Sequence, residues 1–359
     1  MHRPIPRTVV VLVVALLLVA AGLGVWRWRA TQGTEFSRAV AAAPAGTERV
    51  SWTDWDAVRR RLGADVDARS GVGEVRGFLD DGFSADLTST SALVQSAPVL
   101  QQSFGFSPAS AEWELFSQSK QGAVVTVRMP DGTDFGDLGD RLEELGLPRP
   151  SSDDGVWAGG PDLLSRISSD LTPELGYVAL LADDHLVMTS DQAAYLRTAV
   201  DAVHDDGPRV SGLDAVTDAV GSPLTAAVYA GDYACGALAM AQADANDQAE
   251  AAQLVAAAGT VDPYLAFAMA RLPADGDAGG GLVRVAMEFE NDDQARTNAD
   301  SRAALASGPA VGQGGDFSDR FILADARTDG SVVKLDLIAE PRAAVLGDLS
   351  TGPVLFATC

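Results

Sequence analysis

The chain has few of the residues from which metal and catalytic sites are usually built. Its 359 residues include three histidines and two cysteines, and no Cys-x-x-Cys, His-x-x-x-His or His-Glu-x-x-His spacing occurs. Such spacings bring two ligands to one metal ion, so their absence argues against a zinc or iron site. Gly-Lys-Ser/Thr, the end of a phosphate-binding loop, is missing as well. We therefore assign no catalytic residue, no metal ligand, no cofactor-binding residue and no cofactor.

Positive charge is the second shortage. The chain has 26 Lys plus Arg against 50 Asp plus Glu, a formal net charge of −24, and Lys120 and Lys334 are its two lysines. Such a surface repels phosphate backbones, which excludes nucleic acid as an expected partner. It also repels anionic lipid, so we expect the folded body to contact a membrane only through an anchor.

With two cysteines in the chain, Cys235 and Cys359 can form one disulfide. Disulfides persist in oxidising compartments, so this pairing is expected if the chain is exported, and two free thiols are expected if it is cytoplasmic. The bond would tie the last residue to the body of the second half of the chain.

The sequence has one long hydrophobic run, at its N-terminus. Val9 to Trp26 is 18 residues without a charge, which as a helix spans roughly 27 Å and matches a bilayer core. The basic flank before it suits an uncleaved signal anchor and a cleavable signal peptide alike. The continuation of the run to Trp26, followed by Arg27 and Arg29, favours the anchor. We predict a cytoplasmic tail at 1–7, a transmembrane signal anchor at 8–26, and a single-pass cell-membrane protein with its C-terminal part extracytoplasmic.

Residues 27–47 are rich in Ala, Thr, Gly and Pro, and we interpret them as a flexible linker. Beyond them, pairs of alternating runs separated by short turns predict four β-hairpins, interspersed with capped amphipathic helices. Strands that come in hairpins indicate an α+β fold with antiparallel sheets. We expect the helices to pack on one face of each sheet.

The order of elements suggests two similar halves, a first α+β unit at 48–204 and a second at 222–359, joined by a connector at 205–221. VSWTDWDAV at 50–58 aligns by pattern with VYAGDYACG at 228–236, and the hairpins that follow align in the same order. Residue identity between the halves is slight, so the hypothesis of an internal repeat depends on this order of elements.

An aromatic pair flanks an aspartate in both halves: Trp52 and Trp55 around Asp54, and Tyr229 and Tyr233 around Asp232. Exposed aromatics are typical of binding surfaces, so these four residues are candidates for a recognition patch. The alternative, which we favour, is that each aspartate caps a helix while the aromatics pack beneath it.

The sequence does not define a specific activity. We expect a non-enzymatic binding or interaction module of the cell envelope, whose partners are the membrane, through the N-terminal helix, and another envelope protein or polymer. Two alternatives remain open: an envelope hydrolase using His185 or His204 with scattered acids, and a small-molecule or lipid-binding protein with an apolar pocket.

Overall fold

The computed structural model describes residues 33–273 and 281–359. Within these residues, eleven strands form one antiparallel sheet in an α+β fold. The strands are β1 Arg49–Thr53, β2 Trp113–Ser119, β3 Gly122–Arg128, β4 Trp157–Ala158, β5 Tyr177–Leu181, β6 Leu186–Ser190, β7 Thr225–Ala230, β8 Ala266–Leu272, β9 Leu282–Glu288, β10 Phe321–Asp329 and β11 Val332–Ala339.

The strand order across the sheet is β10-β11-β9-β8-β7-β1-β2-β3-β6-β5-β4. β1 and β7 pair antiparallel at the centre, with Ser51 opposite Ala227. Outward from this pair the order is β1-β2-β3-β6-β5 on one side and β7-β8-β9-β11-β10 on the other. Each half of the chain therefore builds its part of the sheet in the same order, and one sheet runs through both halves.

The four hairpins predicted from alternation are present as β2–β3, β5–β6, β8–β9 and β10–β11. The short β4 is the edge strand next to β5, with which it pairs. These elements have side chains of period two bounded by polar turns, the pattern that a half-buried hairpin requires.

Twelve α-helices lie among the described residues. They are α1 Glu35–Ala41, α2 Trp55–Leu62, α3 Val72–Ser84, α4 Ala97–Val99, α5 Phe135–Glu144, α6 Pro161–Ile167, α7 Ala193–Val203, α8 Asp214–Val220, α9 Gly231–Ala237, α10 Ala245–Ala258, α11 Asp292–Ala306 and α12 Val345–Thr351. No helix among them is long and apolar enough to cross a membrane, and the predicted anchor at 8–26 lies outside the described residues.

Helices cover both faces of the sheet, which corrects the expectation of helices on one face. α2, α3 and α5 pack on one face of the first half, and α10, α11 and α12 pack on the same face of the second half. On the opposite face lie α1, α7 and α8. The central strands are apolar on both sides, as in β7, where Ala226 and Val228 face one way and Ala227 and Tyr229 the other. Such strands must be covered twice.

The end of the predicted flexible linker is folded, which is a second correction. Thr34 caps α1 in a reciprocal capping box with Ser37, and its hydroxyl also donates to the carbonyl of Gly221, 3.1 Å away. Phe36 and Val40 of α1 are buried in the core. Apolar residues four positions apart behind a Thr cap are the pattern of a helix docked through one face.

The predicted connector at 205–221 contains α8, whose Val216 and Val220 are buried against the sheet. The two halves also touch through Asp86. This carboxylate accepts hydrogen bonds from the backbone N–H groups of Leu346 (2.7 Å) and Gly347 (2.9 Å) at the start of α12. A first-half side chain thus caps a second-half helix, and the boundary at 205–221 does not separate independent cores.

In the first half, residues 63–87 contain the 13-residue helix α3. Residues 89–104 contain turns, the three-residue α4 and a π-helical turn at Leu100–Phe104.

Candidate functional site

The four candidate recognition residues do not form an exposed patch. Trp52, Trp55 and Tyr229 are at most 2 % exposed, and Tyr233 is half-buried with its ring stacked on that of Tyr229. Trp55 donates from Nε1 to Glu114, and Trp52 donates to the carbonyl of Pro223. Trp52, Trp55 and Tyr229 are therefore core residues and offer no exposed contact surface.

The alternative interpretation holds fully for one of the two motifs. Asp54 caps α2 by accepting a 2.7 Å hydrogen bond from the N–H of Ala57. Asp232 lies in the first turn of α9 and makes no such cap, since Ala230 occupies the cap position.

Cys235 and Cys359 form a disulfide, with Cα atoms 5.7 Å apart, which is the pairing that the sequence allows. The same C-terminal segment is held by Arg302 of α11, a buried arginine. Its guanidinium donates to the carbonyls of Phe356 (2.9 Å) and Asp262 (2.7 Å), and to that of Thr358. Burial lowers the pKa of Arg302 to about 10. The C-terminus is thus fixed twice, covalently and by hydrogen bonds.

Both candidate histidines lie beside an aspartate. His204 Nε2 is 3.2 Å from an Asp184 carboxylate oxygen, and His185 Nε2 is 3.8 Å from Asp131. Neither ring forms a hydrogen bond with a hydroxyl or thiol in the part of the chain that the structure describes. No group of three or more His, Cys, Asp or Glu suited to a metal occurs within 33–273 and 281–359.

Ser117 and Lys120 have a Ser-x-x-Lys spacing, which in some acyl-transfer enzymes marks a nucleophile and its base. Here the Ser117 hydroxyl points to the carbonyl of Val124 at 3.5 Å, and Lys120 Nζ pairs with Glu48 at 3.2 Å. The two side chains are engaged with different partners, so this spacing does not form a catalytic pair.

One feature with the character of a binding site is a cavity of about 380 Å³ beneath α1. Its roof is formed by α1 and the residues after it, including Ala39 and Ala42, and the exposed Glu35 and Arg38 lie at its edge. Its side wall is Val203, at the end of α7. The volume falls within the roughly 300–1,000 Å³ of small-molecule pockets.

The floor of the cavity is the sheet. Trp113 and Leu115 of β2 and Leu186 and Met188 of β6 provide an apolar surface, and Thr126 of β3 lies between Leu115 and Met188 in register. Trp113 also contacts Trp52, with ring centroids 5.1 Å apart, and Trp52 contacts Phe36 of α1 at 5.5 Å. This aromatic cluster continues the floor beneath α1.

The rim of the cavity is charged. Glu35 accepts a 3.0 Å hydrogen bond from the indole N–H of Trp113, and Arg38 donates to the carbonyl of Gly33 at 3.1 Å. Across the opening, Arg128 donates to the carbonyl of Asp184 at 2.6 Å. The cavity therefore combines an apolar interior with two guanidinium and two carboxylate groups at its edge, an arrangement suited to a ligand with an apolar body and a polar end.

The second half has a helix at the corresponding place but smaller side chains beneath it. α8, which precedes β7 as α1 precedes β1, packs directly on β8 and β9. The residues below it are Ala266, Ala268 and Ala270 of β8 and Ala286 of β9, all fully buried. In the first half the corresponding residues are larger, Trp113, Leu115 and Met188, and a cavity remains between them and α1.

Glu114 lies on the opposite face of β2 from the cavity and is 1 % exposed. Its carboxyl group accepts hydrogen bonds from Trp55 Nε1 (3.0 Å), the Ser91 hydroxyl (2.7 Å) and the backbone N–H of Ala92 (2.6 Å). Burial raises its pKa to about 7, although these donors oppose the rise. These contacts hold the turn at 91–93 in place, which is a structural role for Glu114.

No family model and no curated protein matches this chain. Its arrangement is similar to that of two solved structures, crystal forms I and IV of TP0453, each with a TM-score of 0.40. The sequence identities are 6% and 5%, the matches cover 88% and 87% of this chain, and they cover 97% and 96% of those chains. At this TM-score the similarity assigns no function.

Proposed function

We propose that the chain is a membrane-anchored, extracytoplasmic binding protein that holds an amphiphilic ligand in the cavity beneath α1. The observation that carries the proposal is the cavity itself: an apolar floor around Trp113 and Met188, with Arg38, Arg128 and Glu35 at the rim. An acyl chain or comparable apolar group fits the floor, and a polar headgroup fits the rim.

The position of α1 in the sequence supports a cavity that opens near the membrane. Seven residues, 27–33, separate the proposed anchor, which ends at Trp26, from Thr34, the cap of α1. Even fully extended, seven residues span at most about 25 Å. In this proposal the opening beneath α1 therefore lies near the bilayer surface, where amphiphiles are most concentrated.

The shared strand order of the two halves supports the further proposal that they are an internal repeat. α1 and α8 hold matching positions before β1 and β7, and both pack on the same face of the sheet. In this proposal the first copy has large residues beneath its helix and a ligand cavity. In the second copy the helix packs directly on alanines and leaves no such cavity.

The experiment is a binding titration with the full-length chain in nanodiscs, using a fluorescent long-chain fatty acid as the probe. Ala42→Trp places an indole at the cavity roof, and Ala194→Trp adds the same side chain at an exposed position of α7. We expect saturable binding by the wild type and Ala194→Trp, and at least tenfold weaker binding by Ala42→Trp. Equal binding by all three proteins would refute the proposal.

A second candidate function is the binding of another envelope protein at the uncovered face of β10–β11. Ile322 and Ile338 face each other across these strands and are 57 % and 45 % exposed. In the first half α7 covers the matching strands, whereas α12 packs on the opposite face. A photo-crosslinker at Ile338 in the native host is expected to capture one discrete protein that a crosslinker at Ala194 does not.

A further inference from the structure

A second cavity, of about 320 Å³, lies on the sheet face opposite α1 at the seam between the two halves. Its lining brings together three arginines that are far apart in the sequence: Arg61 at the end of α2, Arg271 at the end of β8, and Arg342 after β11. In a chain with almost twice as many acidic as basic residues, three converging guanidinium groups call for a physical explanation.

Arg271 is the innermost of the three. Its Nη1 atom is buried and has no hydrogen-bond partner among the described residues. Burial lowers its pKa, and the nearby positive charge of Arg61 lowers it further. Two like charges in a partly buried site repel each other, and a guanidinium N–H without an acceptor is costly.

Asp86, the acid whose charge acts on Arg271, already has hydrogen-bond partners. The negative charge of Asp86 acts on Arg271, but both oxygens of that carboxylate accept backbone N–H bonds from α12. Arg61, Arg271 and Arg342 form no ion pair within the described parts of the chain. Among the described residues, these three guanidinium groups thus have no ion-pair partner, and Nη1 of Arg271 has no hydrogen-bond acceptor.

The backbone around the cavity leaves room for the guanidinium of Arg271. A Cβ atom at Gly281 would lie 2.6 Å from Arg271 Cζ, so only glycine permits the observed position. Arg342 has a positive φ of 68°, a conformation that costs a non-glycine residue energy and that clusters at ligand sites.

We propose that the seam cavity binds a phosphate group, carried by a small soluble phosphate ester or by a lipid headgroup. Arginine donates in a planar fork that matches phosphate oxygens, and a dianionic group offers acceptors to all three side chains at once. Leu62 and Leu224 provide apolar contacts for the remainder of such a ligand. The site is independent of the cavity beneath α1, since it lies on the other face and uses other residues.

The test is calorimetric titration of the full-length chain, in nanodiscs of zwitterionic lipid, with glycerol 3-phosphate at constant ionic strength. Arg61→Gln is the main variant, because Arg61 is exposed and we expect its replacement to leave the fold intact. Arg197→Gln, at an exposed position of α7, is the matched control. We expect binding by the wild type and the control, and at least about tenfold weaker binding by Arg61→Gln, as expected for the loss of one charge-assisted contact.

A second set of nanodiscs containing phosphatidic acid distinguishes the two sources. If the lipid occupies the site, it lowers the apparent affinity for glycerol 3-phosphate in the wild type. If the soluble ester is the ligand, the affinity does not change. Either result supports the phosphate site.

Two results would overturn the proposal. One is the same titration heat in wild type, Arg61→Gln and Arg197→Gln. The other concerns Asp275 and Asp277, two acids in the sequence between β8 and β9. If glycerol 3-phosphate binds only to the double variant Asp275→Asn, Asp277→Asn, the chain's own acids are the partners of these arginines.

Discussion

The buried carboxyl group of Glu114 makes stability depend on pH in a direction that is unusual for an acid. Burial raises its pKa from the usual 4.5 of a glutamate to about 7. The folded state therefore holds a proton between pH 4.5 and 7 that the unfolded state has released. Because the folded state binds more protons in this window, the stability that Glu114 contributes is greatest below pH 4.5 and is lost as pH rises to 7.

The size of the effect follows from the shift. Each pKa unit corresponds to about 1.36 kcal/mol, so Glu114 alone removes about 3 kcal/mol of unfolding free energy between pH 4.5 and 7. Many other acids also titrate below pH 5, so the useful quantity is the difference between wild type and Glu114→Gln, which cannot lose this proton. Glu144→Gln, at an exposed position of α5, is the control.

The assay is chemical unfolding followed by tryptophan fluorescence at several pH values. Glu114→Gln places an amide N–H₂ against the donors Trp55 and Ser91, so we expect it to be less stable than the wild type at low pH. As pH rises to 7, that deficit should shrink by about 3 kcal/mol. A difference between wild type and Glu114→Gln that stays constant with pH, like that of Glu144→Gln, would refute the reasoning.

The remaining predictions concern the contacts that join the halves and hold the C-terminus. Asp86→Ala should cost about 1–2 kcal/mol of unfolding free energy by removing the cap of α12, and Asp86→Asn less, measured by chemical denaturation. Arg302→Met should cost more, about 3 kcal/mol, because the carbonyls of Phe356 and Asp262 lose their donor, and limited proteolysis should then release the C-terminal segment. Cys359→Ser opens a loop of 124 residues and should lower stability by about 2–5 kcal/mol, an effect that a reductant reproduces in the wild type and not in the variant.

The hairpins could be predicted from the sequence because their information is local. β2 and β3 alternate in register around a short polar turn, and the same holds for β10 and β11. Pairs of strands joined by turns are antiparallel whatever surrounds them. The single sheet was not predicted, because the pairing of β1 with β7 joins residues about 180 positions apart and depends on the packing of the whole chain.

Two helices escaped prediction for different reasons. α3 has glycines at 73, 77 and 82, which lower helix propensity. The helix forms nevertheless because it packs closely in the fold: a Cβ at Gly82 would lie 2.6 Å from the Thr88 methyl group. α1 did have a signal, the capping box at Thr34 followed by Phe36 and Val40. The Ala-rich composition of residues 27–47 favoured a flexible linker instead.

The candidate site could not be predicted from the sequence. It exists because the side chains beneath α1 are larger than those beneath α8. Trp113, Leu115 and Met188 are ordinary core residues in their strands, as are the alanines of β8. The difference is visible only in the folded chain, where both helices lie on the same face of the sheet. There α1 covers a cavity, whereas α8 packs directly on the strands beneath it. The seam cavity is likewise formed by arginines that three distant elements bring together.

The central claim is that the cavity beneath α1 holds an amphiphile, and native mass spectrometry of the full-length chain, released gently from host membranes, tests it most directly. The account predicts a non-covalent adduct of a few hundred daltons on the wild type and on Ala194→Trp, and its loss from Ala42→Trp. A wild-type chain without an adduct, or an adduct of equal occupancy on Ala42→Trp, would contradict it.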